Sequence, residues 1–425
     1  MYAIRYDAAA RLFLGAALSK LPHGATVVGL DIGTTKTCAV VANADSAGVE
    51  VLGVGEAPCA GLRRGVITDL EETVRSIEAA TERAERMAGV HISHVYVGVT
   101  GEHVQSTNNR GVVAITGDER EVVRGDVRRV VEASKLISVG AERHIIHTLP
   151  RRFSVDGHDG IADPIGMSGA RLEVDTHIVT GGNTFITNVL KCVQRAGLES
   201  AGIVFEPLAS SAATLLAEEK HVGVVLLDIG GGTTDVAVYS AGGAIHTSTI
   251  PVGGNMLTND IALGLKTTFA EAEQIKCTIA SAVNDRHGDD NFAVKTLDGR
   301  TKRTVTRAQL RTIVAPRLNE IFRLAKAQLA TLPREVMLAE IVVTGGGAHL
   351  HGMEQAASEF FAMPARIGVP TAVGGLAESV KRPEYATAVG LVLFGPKGDG
   401  VGWDHGTSSR NPLGKVAAWF GDLWN

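Results

Sequence analysis

Cysteine is scarce and unpaired in this chain: Cys38, Cys59, Cys192 and Cys277 are scattered, with no CxxC spacing. That excludes a disulfide framework and a thiolate zinc site, and it fits buried free thiols in a reducing compartment. Long apolar runs are missing too. No stretch of about eighteen apolar residues occurs, so no segment is built to cross a bilayer as a helix. Neither sign of charge dominates. Lys and Arg number 41 against 46 Asp and Glu, a net −5, which leaves no electrostatic footprint for nucleic acid. Tryptophan is absent until the last 23 residues, where Trp403, Trp419 and Trp424 all fall. A packed core would claim some of them, so the C-terminus reads as a separate physical object. Residues 1–25 hold only a short apolar patch around Leu12 to Leu18 with no convincing cleavage site, and read as a disordered extension and not as a secretory signal.

What the chain does have is one signature written twice. The first copy runs Asp31-Ile32-Gly33-Thr34-Thr35-Lys36-Thr37, the second Asp228-Ile229-Gly230-Gly231-Gly232-Thr233-Thr234-Asp235. Each stands between two apolar runs, which predicts strand, tight turn, strand. A phosphate turn needs backbone N–H groups converging on oxygen. Gly33 and Gly230, Gly231 and Gly232 let the backbone come close and take positive φ. Thr34, Thr35, Thr233 and Thr234 add hydroxyl donors, and Lys36 can reach a phosphate as a point charge. Asp31 and Asp228, at strand ends, can hold Mg²⁺ through its waters. One such turn could be an ordinary hairpin; two with the same Asp-Ile-Gly opening predict a two-lobed machine that clamps a nucleotide polyphosphate.

Between and after the two copies the pattern is α/β. A helix is expected from Asp69, its N-cap with Glu72 completing the box, to Met87, with Gly89 as its stop. Strands are expected at 49–55, 94–99, 176–180, 202–205, 244–250 and 340–343, with helices at 184–196, 207–218 and 353–361. Residues 100–171 break the pattern with short strands and one helix, and read as an inserted α+β module. Residues 255–332 are largely helical, interrupted by a polar loop and a hairpin with Asp298-Gly299 at its turn.

Further residues carry two readings each. Gly345, Gly346 and Gly347, after a strand, suit close approach of a base or ribose, or form a plain turn. Glu273 and Lys276 share a helix face, as a routine ion pair or as holders of an adenosine. Glu206 precedes a helix-starting Pro207; it is a structural acid or the group that orients an attacking water. His287, Asp289 and Asp290, and likewise His144 and His147, lack the spacing of metal ligands. Residues 395–411, rich in Gly, Pro and Ser, read as a flexible linker. Beyond them Asn411 and Pro412 begin a helix whose one face carries Leu413, Val416, Phe420, Leu423 and Trp424, with Trp419 at its edge. That is the form of an interfacial membrane anchor, or of a helix docked on the body. Each buried side chain yields about 1.5–3 kcal/mol, and ordering the segment costs a comparable amount. One copy therefore binds weakly, and lasting attachment takes many copies on one assembly.

In their order, the two phosphate motifs, Glu206-Pro207 and the glycines at 345–347 resemble the actin, Hsp70 and sugar-kinase ATPase superfamily. Within it the chain resembles the FtsA family. Only the loop from Glu56 to Thr68 separates the third strand from the first helix, and the extra module follows that helix instead. The resemblance implies a two-lobed actin-like ATPase fold of duplicated ribonuclease-H-like domains. Subdomain 1A would take 26–100 and 173–206, inserted subdomain 1C 101–172, subdomain 2A 207–250 and 333–394, and subdomain 2B 251–332, followed by the linker and the 412–425 helix. It further implies an ATP- or ADP-binding protein with Mg²⁺, at most a slow ATPase. Such a protein polymerises with itself at the division site, on the cytoplasmic face of the inner membrane. It would tether FtsZ and recruit later divisome membrane proteins. The FtsZ C-terminal peptide would dock on subdomain 2B at Arg307, Arg311 and Arg317, which could equally be a solvated helix face. The competing readings are a sugar or acid kinase, which needs a substrate pocket with a positioned catalytic Asp, none being found beyond the phosphate motifs, and an Hsp70-like chaperone, whose C-terminal β-domain is missing.

Overall fold

The structure is a computed structural model and describes residues 24–45, 48–116, 120–283 and 290–394. Two sheets dominate it, built from strands so apolar that both faces must be covered. Ala25–Ile32 pairs antiparallel with Lys36–Asp45, which pairs antiparallel with Gly48–Pro58. His94–Val99 and then Glu199–Phe205 join in parallel on the other side. The second half repeats this. Val224–Ile229, with every residue buried, pairs antiparallel with Thr234–Ser240 and that with Gly243–Ile250. Glu340–Thr344 and Ala365–Ile367 add in parallel. Both sheets therefore run third, second, first, fourth, fifth, and the first gains Gly374–Gly375 at its edge from the second half. The duplication seen in the motifs extends to the whole domain.

Two helices seal the lobes together. Glu206–Thr214 and Ala386–Phe394 cross so closely that a Cβ at Gly390 would overlap the Ala209 carbonyl oxygen. Helix Leu70–Ala88 covers the first sheet. Its Asp69 cap accepts the Glu72 N–H at 3.0 Å, but the Glu72 carboxylate pairs with Arg75 instead of closing the expected box. Gly89 ends the helix by donating to the Glu85 carbonyl.

The insert is a four-stranded antiparallel sheet, ordered Gln105–Ala114, Arg171–Gly182, Arg143–Val155, His158–Ile161, with helix Arg124–Ser134 on one face. The strand expected at 176–180 is thus longer and takes all its ladder bonds inside this sheet. A subdomain boundary at residue 172 cuts through it. The helix expected over 207–218 stops at Thr214, because Leu215 turns to extended backbone, and a short helix Ala217–Val222 follows. The helical region resolves into Gly254–Gly264, Phe269–Thr278 and Arg307–Leu329, with hairpin Asn291–Lys295 and Lys302–Thr306 before the last. Met353–Phe361 lies where the sequence places it. The four cysteines are free, three of them buried. Residues 1–23, the expected linker at 395–411, the expected helix at 412–425, and His287 and Asp289 lie outside the described residues.

Candidate functional site

The two signature turns are built alike and touch. Gly33 N–H donates to the Lys36 carbonyl and Gly230 N–H to the Thr233 carbonyl, each at 2.9 Å. A Cβ at Gly231 would overlap Thr35 Oγ1, and one at Gly232 would overlap Thr34 Oγ1. The expected positive φ is not adopted at Gly33, Gly230, Gly231 or Gly232; the missing side chains at Gly231 and Gly232 instead leave room for the two lobes to meet turn against turn. Above the contact opens a cavity of about 620 Å³, a volume within the range of small-ligand sites.

Of the expected phosphate-binding residues, Asp31, Gly33, Thr34, Thr35, Lys36, Gly230, Gly231, Gly232 and Thr233 line this cavity. Thr234 does not: it is fully buried and its hydroxyl donates to the Val252 carbonyl at 2.8 Å. Strand alternation turns it to the opposite face from Thr233. Lys36 lines the cavity but is engaged elsewhere, ion-paired with Glu56 and 4.4 Å from the Tyr385 ring centre. Gly345, Gly346 and Gly347 form one wall. Gly345 has φ +79°, and a Cβ there would overlap Asp228 Oδ1. Glu273 and Lys276 form another wall as an ion pair of 2.7 Å, with Lys276 Nζ also donating to Thr258 Oγ1 at 3.0 Å.

Four acids make the floor: Asp31, Glu206, Asp228 and Asp235. Burial pushes the Asp31 carboxyl up to about 7, with Lys36 opposing and Asp228 adding to the rise. Asp235 also rises to about 7 by burial, against hydroxyl bonds from Thr100 and Thr249. Glu206 is driven well above the carboxylate range by burial and then by Asp31, Asp235 and Asp228. Burial raises Asp228 as well, moderated by Ser210 Oγ at 2.5 Å and Thr387 Oγ1 at 3.1 Å, both donating to Oδ2. Such a floor favours an added cation. Among the described residues no three His, Cys, Asp or Glu converge closely enough to ligate a metal directly. The donor set fits a cation that keeps its waters.

The expected arginine stripe does not form. Arg307 and Arg311 are four residues apart and share a face, but Arg317 lies six further on and points elsewhere. Its guanidinium is neutralised by Asp260 at 2.6 and 3.1 Å and by Glu320. Arg307 donates to the Ile279 carbonyl at 2.9 Å. His147 is structural as expected, accepting the Phe205 N–H at 2.9 Å.

Four contributors escaped the sequence reading. Asp235 closes the second signature, and its signal is positional: it stands seven residues after Asp228, where the first copy has Cys38 after Asp31. Thr100, Ser210 and Thr387 reach the floor from three other elements and carry no local signal.

Matched sheets, touching turns and a carboxylate-floored interlobe cleft define a two-lobed, actin-like fold. Solved structures agree on the fold: a chain of the PilM-PilN type IV pilus biogenesis complex matches with TM-score 0.64 at 17% identity, covering 88% of this chain and 98% of that one. MreB5 of Spiroplasma citri bound to ADP matches with TM-score 0.53 at 15% identity, over 87% and 95%. Within that class the sequence is more specific, and the chain belongs to the FtsA family of cell division proteins. The family model "Cell division protein FtsA" matches residues 225–390, and "SHS2 domain inserted in FTSA" matches 101–180. Cell division protein FtsA of Pseudomonas aeruginosa is 41% identical over 381 residues, 89% of this chain and 91% of that protein. The Bacillus subtilis protein is 38% identical over 368 residues, 86% and 82%.

Proposed function

We propose that this cell division protein binds ATP or ADP with Mg²⁺ in the interlobe cleft and polymerises into actin-like filaments on the cytoplasmic membrane face at the division site. There it anchors FtsZ and recruits later divisome membrane proteins. The observation that carries the nucleotide reading is the contact of two like-built Asp-Ile-Gly turns beneath one cavity. The N–H groups of Gly33 and Gly230 brace their turns, and those of Gly231 and Gly232, with the hydroxyls of Thr34, Thr35 and Thr233, would face the phosphates. Lys36 supplies the point charge once it leaves Glu56. The Glu273–Lys276 wall and the glycines at 345–347 suit the adenosine. Mg²⁺ would offset the charge of phosphates and carboxylates together, held through water by Asp31 and Asp228. Glu206, buried among acids and held toward its neutral form, suits a slow proton-handling or water-orienting group. That supports a switch more than a fast enzyme. Arg307 and Arg311 remain the proposed contacts for an acidic peptide, without Arg317.

Titration calorimetry on the full chain tests this. Heat with ATP or ADP plus Mg²⁺, reduced at least about tenfold in affinity by Gly231→Val, which forces a side chain between the touching turns, is the expected result. No heat with folded wild-type protein would sink the reading.

A further inference from the structure

Gly243–Ile250 is the outer strand of the second sheet, and a bare strand edge must be covered. The insert covers it with side chains instead of a backbone ladder. Ser106 Oγ donates to the Thr247 carbonyl at 2.7 Å, and Asn108 Nδ2 donates to the Ile245 carbonyl at 2.9 Å. His177 lies 2.9 Å from Thr247 Oγ1 through Nε2 and 2.8 Å from Asn108 Oδ1 through Nδ1. Carbonyls of alternate strand residues point to the same edge, so 245 and 247 form one row of sockets. Two residues on, the side chain of Thr249 stands off the sheet face, and its Oγ1 donates to Asp235 Oδ1 at 2.6 Å. Thr100 Oγ1 donates to the same oxygen at 2.5 Å and lies 3.0 Å from Thr249 Oγ1. Thr100 follows the strand His94–Val99 and leads directly into the insert. The strand Gly243–Ile250 thus carries two polar clusters, one at a floor carboxylate of the cleft and one at the seat of the insert, joined by its own backbone and by the chain from Thr100 to Ser106.

We propose that Thr100 is a positioning residue that couples occupancy of the cleft to the seating of the insert on the second lobe. The inference rests on the nucleotide reading above. Both hydroxyls donate to Oδ1, so these bonds leave Oδ2 for whatever the cleft holds. Were Oδ2 engaged through water by a cation held at Asp31 and Asp228, the Asp235 carboxylate would be fixed, and Thr100 and Thr249 with it, through charge-assisted, largely desolvated bonds. With the cleft empty, the carboxylate is held from one side only and the joint is looser. Coupling is reciprocal: if filling the cleft tightens the seat, loosening the seat weakens binding.

Amide hydrogen exchange on the full chain, with and without ATP and Mg²⁺ at calorimetrically established saturation, tests the coupling. Exchange in 105–109 and 244–249 should slow about tenfold on binding, the worth of one charge-assisted bond. Thr100→Val should remove that slowing at saturation, and Thr100→Ser, which keeps the hydroxyl, should restore it. Asn108→Ala, at the far end of the row, should lower ATP affinity several-fold. Equal slowing in Thr100→Val, no slowing in the wild type with ligand bound, or unchanged affinity in Asn108→Ala would each overturn the proposal. Absence of heat in the wild type fails the nucleotide reading itself and takes this inference with it.

Discussion

The three glycines at 345–347 do different work. Gly345 needs its positive φ and has Asp228 Oδ1 where a side chain would go, Gly347 backs onto Ile229, and Gly346 has open space beside it. Gly345→Ala should therefore cut Mg²⁺-nucleotide affinity by about tenfold or more, through a strained backbone and a displaced floor carboxylate. Gly346→Ala should leave the fold intact; paired calorimetry and unfolding of the two variants checks the contrast. The floor acids also make a pH prediction. A carboxyl raised to about 7 in the folded protein and near 4 when unfolded binds more protons folded than unfolded across that interval. Stability from such a group falls as pH rises through it. Buried histidines His147 and His177, lowered to about 3, act in the opposite sense over much of the same range. The clean measurement is a difference: Asp31→Asn should gain stability relative to nucleotide-free wild type between pH 5 and 8, read as the shift in urea midpoint. A constant difference across that range would remove the buried-charge account.

Elements show where local signals suffice and where they do not. The helix Leu70–Ala88 was legible because its cap, its apolar stripe and its stop are all local. The strand Arg171–Gly182 was half-legible: a short apolar core marks it, but its length is set by ladders to partners 17 to 75 positions away. The helix break at Leu215 and the reach of Thr100, Ser210 and Thr387 to the floor had no local mark. The close contact of the two sealing helices makes the prediction at this scale. Ala386–Phe394 lies against Glu206–Thr214 at Gly390, where the obstacle is main chain and cannot swing aside. Gly390→Ala should cost about 1–3 kcal/mol despite the better helix propensity of alanine, read from chemical denaturation. A stabilised variant would show that the helices can part freely.

At the scale of the molecule, the clamp and the anchor proposed from the sequence of residues 412–425 use different stretches of chain, and each should fail alone. Deleting residues 412–425 should abolish co-sedimentation with liposomes while leaving nucleotide affinity unchanged; lipid binding that survives the deletion would refute the anchor. The sequence by itself determined the repeated turns, and through them the repeated sheets, because a turn's glycines and its flanking apolar runs are adjacent in the chain. It also carried the family likeness, through motif order and the place of the insert. Only the tertiary structure decided that four acids share one floor, that Thr234 faces away while Asp235 faces in, that Arg317 is spent on Asp260, and that the insert rests on the edge of the second sheet. Those outcomes depend on register and on contacts between residues tens to hundreds of positions apart, which no local pattern encodes.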